Sequence, residues 1–463
     1  MLGRMYRPIL ALLLGSLALG QRPNVVLFVT DDQGTVTGCY GDPDARTPNL
    51  DRLAEEGFVF DRAFATTASC SASRSVILSG QHNHANGQYG HAHSFHHFRT
   101  VDGVRSFPAV LSEAGYTTAR VGKFHVAPEE AYPFDHVLPG NARRPVQMAE
   151  ACRPFLSEIG DTPFFLFFCT SDPHRGGGKA NDLPGRPDRF GNPKQTAEGD
   201  RVHDPETVTV PDWLPDSVEA RAEWAQMLQA IARIDDGLGK LVEVLEETGE
   251  WEDTILLFTS DHGPAFPGGK TTTYEPGLRV PMVVRDPRAV AGRSDAMVSL
   301  LDLAPTLAEA CGANAPEKWQ GQSFLGFVRG TPPETWRDAH FASHTFHEIT
   351  MYYPMRVVRE GRFKLIWNIA HPLPYPFATD LWVASTWQAA YAGGPQASYG
   401  PRTVGAYVQR PEFELYDLQE DPLEARNLAL DPDHRAELER LKARLQEFQK
   451  ATGDPWIMKW DYE

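Results

Sequence analysis

Cysteine, positive charge and long apolar runs are all scarce in this chain of 463 residues. The five cysteines are scattered and form no C-x-x-C pair. Lysine and arginine together number 44 against 61 aspartates and glutamates, which gives a formal net charge of −17. A protein that wraps a nucleic acid normally carries a basic surface, so we expect no nucleic-acid partner. Any anionic ligand must instead be held by a few cations that converge locally.

The main apolar run lies at the N-terminus, where Arg4 and Arg7 precede Ile9 to Leu19 and a small-residue ending at Gly20. These features predict a secretory signal peptide over residues 1–20; a buried strand or helix is the alternative. The run is too short to span a bilayer, and no later run is longer, so we expect no membrane span. We therefore expect a periplasmic or secreted protein. The lack of any Asn-x-Ser/Thr sequon favours a bacterial source.

Four short apolar runs indicate buried parallel strands, and helical patterns lie between them. The runs are Asn24–Thr30, Thr117–Val121, Phe164–Thr170 and Thr254–Ser260. Helices are predicted from Pro48 to Gly57, over Phe107–Ala114 and over Val218–Thr248, the last with a break near Gly237 and Gly239. This alternation predicts an α/β fold with a large, mostly parallel sheet.

The pattern of residues, and the secondary structure that it predicts, changes towards the C-terminus. A stretch rich in glycine, proline and aspartate, from about Gly176 to Pro215, predicts a surface loop. Beyond about residue 331, short strands with tight turns and a charged, leucine-bearing helix at Pro432–Gln449 indicate an α+β subdomain with an antiparallel sheet. We therefore predict a main domain over residues 21–330 and a C-terminal subdomain over residues 331–463.

Polar residues follow each of the four predicted strands. They are Asp31 and Asp32, then Lys123 and His125, then Asp172 and His174, and finally Asp261 and His262. Because open α/β sheets bind ligands at the carboxyl ends of their strands, these residues are expected to converge. Each pair alone is a weak signal, since Asp-Asp is common in turns and a single histidine is common on surfaces.

Paired aspartates suit a hard divalent cation such as Ca²⁺ or Mg²⁺, which would offset their mutual repulsion. His262 is softer than the ligands that calcium usually takes, so it either binds the metal or lies beside it. Cys70 and Arg74 lie one helical turn apart and would share the N-terminal face of a helix, which is an anion site. A buried structural cysteine is the alternative for Cys70, but an odd cysteine count in an exported protein suggests a special role for one of them.

The segment Cys70-Ser71-Ala72-Ser73-Arg74 resembles the type I sulfatase signature C-x-P/A-x-R, of the alkaline-phosphatase-like superfamily. The likeness extends over nearly the whole mature chain. Within that family it is greatest to the sulfamidases, which remove the N-sulfate of glucosamine. The segments that carry this closer likeness are Val121–Asp135, Phe258–Thr271 and His347–Arg356.

This resemblance implies that a maturation enzyme converts Cys70 to formylglycine, whose hydrated aldehyde is the nucleophile. It also implies a divalent metal, expected to be Ca²⁺, held by Asp31, Asp32, Asp261, His262 and the modified Cys70. Arg74 would hold the hydrated aldehyde, and Lys123 and Lys270 would neutralise the sulfate oxygens. His174 would protonate the leaving atom, and His125 would assist the second hydroxyl in expelling sulfate and restoring the aldehyde.

Three residues depart from the usual family pattern. Ala72 occupies a position that is proline in most sulfatases, although alanine also serves as a maturation signal in bacteria. His262 replaces the asparagine of animal sulfamidases, so the identity of the metal and its affinity are open. Lys270 replaces an arginine, which preserves the charge but not the bidentate geometry.

The implied substrate is a sulfamate on a terminal glucosamine of heparan sulfate or heparin. His347 and Glu348 either reach this sugar or form a pair at the subdomain interface. The histidine-rich stretch His91–His97 either lines the pocket mouth, binds a stray metal ion or is simply exposed. The alternatives are an O-sulfatase, a phosphate- or phosphonate-ester hydrolase of the same superfamily, and a glycan-binding protein with unmodified Cys70. A homodimer is left open.

Overall fold

A computed structural model describes residues 22–176, 189–192 and 202–461. The predicted signal peptide lies outside these residues, as does most of the loop expected between Gly176 and Pro215. Among the described residues, no helix combines the length and apolar character that crossing a bilayer requires.

A central eight-stranded sheet organises the N-terminal part of the fold, with the order β4-β3-β5-β1-β6-β7-β2-β8. Its strands are β1 (Asn24–Thr30), β2 (Phe58–Phe64), β3 (Thr117–Gly122), β4 (His136–Leu138), β5 (Phe164–Cys169), β6 (Thr254–Ser260), β7 (Met282–Arg285) and β8 (Gly292–Ser299). The four strands predicted from the sequence are β3, β5, β1 and β6. They lie side by side and are parallel, as expected. Strand β7 is antiparallel to both of its neighbours, so the sheet is mixed.

A second, antiparallel sheet lies in the C-terminal part, with the order β14-β11-β10-β9. Its strands and a separate two-stranded ribbon are β9 (Ala339–His344), β10 (Met355–Glu360), β11 (Phe363–Asn368), β12 (Ser398–Tyr399), β13 (Arg402–Thr403) and β14 (Phe413–Asp417). The expected antiparallel sheet is therefore confirmed, whereas the predicted boundary between residues 330 and 331 stays a prediction.

Helices cover both faces of the central sheet. Together with the helices of the C-terminal part, the helices of the described residues are α1 (Pro48–Glu56), α2 (Cys70–Ser79), α3 (Asn83–Asn86), α4 (Phe107–Glu113), α5 (Pro145–Ala151), α6 (Arg153–Glu158), α7 (Val218–Thr248), α8 (Glu275–Leu278), α9 (Leu303–Ala310), α10 (Leu325–Val328), α11 (Thr379–Trp382), α12 (Ser385–Ala392), α13 (Val404–Val408) and α14 (Arg435–Thr452). Short 3₁₀ helices lie at Gly38–Tyr40, Glu129–Ala131, Trp251–Asp253, Leu300–Asp302, Pro432–His434 and Pro455–Trp460.

The long helix α7 is unbroken, so the break predicted near Gly237 and Gly239 is wrong. These glycines serve packing instead. A Cβ at Gly237 would lie 2.3 Å from the Cβ of Pro145, and a Cβ at Gly239 would lie 2.6 Å from the side chain of Asn49. Two neighbouring segments thus approach the helix more closely than any larger residue would permit.

Strand β1 is buried on both faces, as expected for the centre of a parallel sheet. Val25, Leu27 and Val29 face one core together with residues of α4 and α9, while Val26 and Phe28 face a second core together with residues of α7. This alternation explains why the strand reads as a continuous apolar run and why polar chemistry is confined to its carboxyl end.

Candidate active site

The carboxyl ends of the central strands bring distant polar residues to one edge of the sheet. Parallel pairing aligns Thr30 of β1 with Ser260 of β6. The backbone N–H of Asp31 donates to the carbonyl of Asp172 at 3.1 Å, and that of Asp261 donates to the carbonyl of Thr30 at 3.1 Å. The convergence predicted from the sequence is therefore present in the structure.

Cys70 is the first residue of α2 and is completely buried at this edge. Its Sγ lies 3.5 Å from Oδ1 of Asp32 and 3.4 Å from Nε2 of His262. Burial raises the pKa of the Cys70 thiol well above its usual value. An unmodified Cys70 would thus be a poor thiolate nucleophile at neutral pH.

The donor atoms around Cys70 fit a divalent cation. Two groups of residues each offer ligand atoms that lie within 4.8 Å of one another. One group is Asp31, Asp32, Cys70 and His174, and the other is Cys70, Asp261 and His262. Nδ1 of His262 lies 3.0 Å from the carbonyl of Gly263, so donation there leaves Nε2 as a lone-pair ligand. Burial raises the pKa of Asp261 to about 6, and the adjacent Asp31 and Asp32 add to this effect. A bound cation would relieve this crowding of carboxylates.

Three cations surround the same carboxylates. Nε of Arg74 donates to Oδ2 of Asp261 at 3.1 Å, and its Nη2 lies 3.4 Å from Oδ1 of Asp31. Lys123 forms an ion pair with Asp31. Nζ of Lys270 lies 2.9 Å from Oδ2 of Asp32. The three cations balance these three carboxylates, and Asp380 adds a fourth carboxylate beside Lys270. A bound dication would still leave a net positive charge for an anionic ligand.

The cations decide the charge state of the two leading aspartates. Burial would raise the pKa of Asp31, but Lys123, His174 and Arg74 outweigh it and hold the pKa well below its usual value. Burial acts in the same direction on Asp32, yet Lys270 and His174 lower its pKa to about 2. Both groups are therefore carboxylates at neutral pH, as metal ligation requires.

His174 and Lys270 meet a residue that the sequence analysis missed. Nζ of Lys270 lies 3.0 Å from Nε2 of His174 and 2.9 Å from Oδ2 of Asp380, which belongs to α11. Burial and the charge of Lys270 lower the pKa of His174 to about 4. Asp380 carries no motif and lies 110 residues from Lys270, so no spacing in the sequence could have indicated it.

The loop behind His174 is held by ion pairs to Asp172. The carboxylate of Asp172 accepts from Nη1 of Arg143 and from Nη2 of Arg233, each at 2.9 Å. Nη2 of Arg143 also donates to the carbonyl of His174 at 3.0 Å. Asp172 therefore positions this loop, while its neighbour His174 reaches the site.

His125 lies in a cluster of imidazoles. Its backbone is left-handed, with φ of 61°, and its ring stacks on that of His91 with centroids 4.9 Å apart. Nε2 of His125 contacts Nδ1 of His93. Burial and the charge of Lys123 lower the pKa of His125 well below its usual value. The stretch His91–His97 was expected to line the pocket, to bind a stray metal ion or to be exposed. Its two ends differ, because His91 is buried and His97 is exposed.

His347 and Glu348 both lie at the site and also brace it. Nδ1 of His347 lies 2.9 Å from Oγ of Ser69, the residue before Cys70. The carboxylate of Glu348 accepts from the backbone N–H of Thr379 at 2.8 Å and from its hydroxyl at 3.0 Å. Glu348 thereby fixes the start of α11, which carries Asp380.

These side chains enclose one open cavity of about 680 Å³. Its lining comprises Asp31, His91, His93, His96, Lys123, His125, Arg143, Ser171, His174, Arg175, Gly176, Lys270, His347, Glu348, Thr379 and Asp380. Cys70, Arg74, Asp32, Asp261 and His262 lie beneath it and are buried. The buried residues form the centre, and the cavity gives a ligand access to that centre.

Comparison with known proteins identifies the family. The Sulfatase family model matches residues 23–313, and a second model, described as N-sulphoglucosamine sulphohydrolase, C-terminal, matches residues 268–374. The chain belongs to the sulfatase family. Human N-sulphoglucosamine sulphohydrolase is 36% identical over 94% of this chain and 91% of the human protein. An ulvan-active sulfatase of Formosa agariphila is 28% identical over 95% of this chain and 82% of its own length.

Solved structures give this sulfatase an alkaline-phosphatase/sulfatase-like α/β fold. One structure, described as a complex with its substrate D-glucosamine-2-N,6-O-disulfate, matches with a TM-score of 0.68 and 22% identity, over 94% of this chain and 99% of that chain. A phosphonate monoester hydrolase of Agrobacterium radiobacter matches with a TM-score of 0.65 and 20% identity, over 93% and 96% of the chains. At these identities the likeness concerns the fold alone.

Proposed function

We propose that this sulfatase hydrolyses the N-sulfate of a terminal glucosamine in heparan sulfate or heparin fragments. The carrying observation is the match of residues 268–374 to the C-terminal model of N-sulphoglucosamine sulphohydrolases. That segment contains Lys270, His347 and Glu348, all of which line the cavity. The 36% identity to the human enzyme of that name supports the same assignment.

Residue 70 is proposed as the nucleophile after its conversion to formylglycine. As a thiol it is buried with a raised pKa, which argues against direct use of the sulfur. At the first position of α2 it lies where free backbone N–H groups and the helix dipole favour an anion. Arg74, one turn along the same helix, is fully buried and would hold the modified side chain.

Asp31, Asp32, Asp261, His262 and residue 70 would hold a divalent metal, for which Ca²⁺ is our candidate. When bound, the metal would polarise the sulfate oxygens and lower the pKa of the attacking hydroxyl. Lys123 and Lys270 line the cavity beside these residues and would bind the remaining sulfate oxygens. Their fixed ammonium groups would stabilise the charge that shifts in the transition state.

Two histidines are proposed as proton carriers. The leaving nitrogen of a sulfamate must gain a proton as the S–N bond breaks, and His174 lines the cavity next to Lys270. A bound sulfate adds negative charge beside His174 and thereby favours its protonated form. His125 also lines the cavity, near Lys123, and would take a proton from the second hydroxyl of residue 70.

The cavity suits a single terminal sugar. Its volume of about 680 Å³ lies within the range of small-molecule sites. His347 and Glu348 lie on its wall and would meet the sugar, although both are also anchored to the protein. A net charge of −17 opposes tight binding of a long polyanion, which favours action at a chain end. The N-terminal segment further supports export to the periplasm or beyond.

An O-sulfatase is the second candidate. N-acetylglucosamine-6-O-sulfatase of Bacteroides thetaiotaomicron is 26% identical over 96% of this chain and 90% of its own length. Both reactions need the same nucleophile and sulfate-binding cations, and they differ in whether nitrogen or oxygen leaves. The chemistry of the centre is therefore compatible with both, and the substrate must discriminate between them.

The test is release of inorganic sulfate from a panel of glucosamine N-sulfate, glucosamine 6-O-sulfate and an aryl sulfate. The expected result is turnover of the N-sulfate with a kcat/KM at least about tenfold above either ester, a difference of about 1.4 kcal/mol in activation free energy. Activity on the 6-O-sulfate alone would refute the sulfamidase assignment in favour of the second candidate.

A further inference from the structure

Three imidazoles at the cavity mouth form a second cluster of metal-ligand atoms, separate from the carboxylate centre. One nitrogen from each of His91, His93 and His125 lies within 4.8 Å of the other two. The ring centroids lie 4.7 Å apart for His91 and His93 and 4.5 Å apart for His93 and His125. Three neutral nitrogen donors facing a cavity form the ligand set typical of zinc and other borderline transition metals.

Hydrogen bonds hold the segment that carries two of these rings. The backbone N–H of His91 donates to the carbonyl of His347 at 2.9 Å, and that of Phe98 donates to the carbonyl of His91 at 3.1 Å. The N–H of Ala92 donates to Oγ of Ser71 at 3.1 Å. The cluster is thus organised by the scaffold and does not depend on a free loop.

Two ring nitrogens in the cluster have no partner. Nδ1 of His91 and Nδ1 of His125 are both buried without a hydrogen bond. His91 is only 6% exposed, so its vacant nitrogen cannot readily be satisfied by bulk solvent. A metal ion on the cluster would add bonds to rings that make few hydrogen bonds to the protein.

Charges around the cluster bear on its affinity. Lys123 and Lys270 oppose a dication there, while Glu348 favours one. His96 adds a fourth ring, with its centroid 5.7 Å from those of both His91 and His93. The oxygen-rich centre suits a hard cation, whereas this cluster contains nitrogen alone, so the two sites differ in the metal they select.

We propose that His91, His93 and His125 form a site for Zn²⁺ or a similar transition metal at the cavity mouth. Occupancy takes His125 out of proton transfer and narrows access to residue 70, so the metal inhibits turnover. The binding part stands on the geometry alone, and the inhibitory part rests on the proposed function.

The test titrates the full chain with Co²⁺ in excess Ca²⁺, which keeps the carboxylate centre occupied, and follows the visible d–d absorption and its displacement by Zn²⁺. His93→Ala removes an exposed ligand with little risk to folding. It is expected to weaken Co²⁺ binding at least about tenfold, the lower end of the effect of disturbing a metal site. His97→Ala is the matched control, since His97 is an exposed histidine of the same segment, and it should bind like the parent.

Sulfate release from glucosamine N-sulfate is then measured with and without Zn²⁺. Inhibition of the parent and of His97→Ala, with relief in His93→Ala, is expected. Equal Co²⁺ binding by His93→Ala and the parent, or no binding at all, would overturn the site. Binding without inhibition would overturn the inhibitory part alone, whereas failure of the zinc-free parent to release sulfate would contradict the proposed function and leave the binding result intact.

Discussion

Nε2 of His262 lies 3.4 Å from Sγ of Cys70, although 192 residues separate them along the chain. The end of a central strand and the first turn of a helix thus place the imidazole that is proposed as a metal ligand against the proposed nucleophile. An ion bound by His262 would therefore also contact the side chain of residue 70.

Conversion of Cys70 is the first prediction. Mass spectrometry of the peptide that contains it, from protein made in its native host, should show loss of the sulfur as formylglycine. Cys70→Ala should fold normally but release no sulfate, because no hydroxyl remains to attack. Cys39→Ser, a change at a partly exposed cysteine away from the site, should keep its rate. Full activity in Cys70→Ala would disprove the nucleophile assignment.

His262 is predicted to ligate the metal through Nε2. Removal of calcium with a chelator should lower the melting temperature of the parent, because a ligand that binds only the folded state stabilises it. His262→Ala should weaken this calcium-dependent stabilisation, with apparent affinity falling about tenfold or more. His262→Asn, which offers an amide oxygen instead, should retain most of it. Identical calcium dependence in the parent and in the alanine variant would show that His262 merely lies beside the ion.

Lys270 is predicted to stabilise the transition state. Its ammonium group is fully buried and pairs with two carboxylates. Lys270→Ala should lower kcat for sulfate release about 10²- to 10³-fold, as expected for loss of one preorganised electrostatic contact. Lys270→Arg keeps the charge and should retain more of the rate. An unchanged kcat in Lys270→Ala would show that Lys270 does not stabilise the transition state.

Asp380 is predicted to be a positioning residue that acts through Lys270. With Asp380→Asn, the ammonium loses one of its two charged anchors, so kcat should fall about tenfold, or 1.4 kcal/mol, with little change in KM. A merely structural role would show instead as a lower melting temperature with unchanged kcat. Asp102→Asn, at an exposed aspartate, is the control and should leave both constants unchanged.

A buried ion pair between the antiparallel sheet and the C-terminal segment predicts a pH effect on stability. Nη2 of Arg356 lies 2.9 Å from Oδ1 of Asp454, and both side chains are buried. Burial would raise the pKa of Asp454, but the bond and charge of Arg356 lower it to about 2. Because the pKa is depressed in the folded state, this stabilisation is complete above the unfolded value and disappears as the pH falls towards 2.

Asp454→Asn should therefore lower the free energy of unfolding by about 3 kcal/mol at neutral pH, measured by urea denaturation. The difference from the parent should narrow as the pH falls below about 4. Asp338→Asn, which breaks an exposed pair with Arg444, should cost no more than about 1 kcal/mol. A difference between parent and Asp454→Asn that does not change with pH would contradict the assigned pKa.

Local patterns were sufficient to predict the inner sheet and the residues that follow its strands. A strand buried on both faces must be apolar throughout, so β1, β5 and β6 are visible as runs, and polar residues mark their ends. Strands β2 and β8 were not predicted because each is only partly buried and mixes polar with apolar residues. The error over Gly237 has a similar origin, since a glycine that breaks an isolated helix here permits a close approach to Pro145.

The sequence by itself determined the fold class and the set of carboxylates and cations that follow the strands, because these depend on residue type and on short spacings. Its resemblance to sulfatases implied the chemistry proposed for residue 70. Only the tertiary structure decided that Asp380 anchors Lys270, that Glu348 fixes the helix carrying Asp380, and that His91 stacks on His125. These contacts join segments up to 110 residues apart through loops and a short helix, and such pairings leave no periodic trace in the chain.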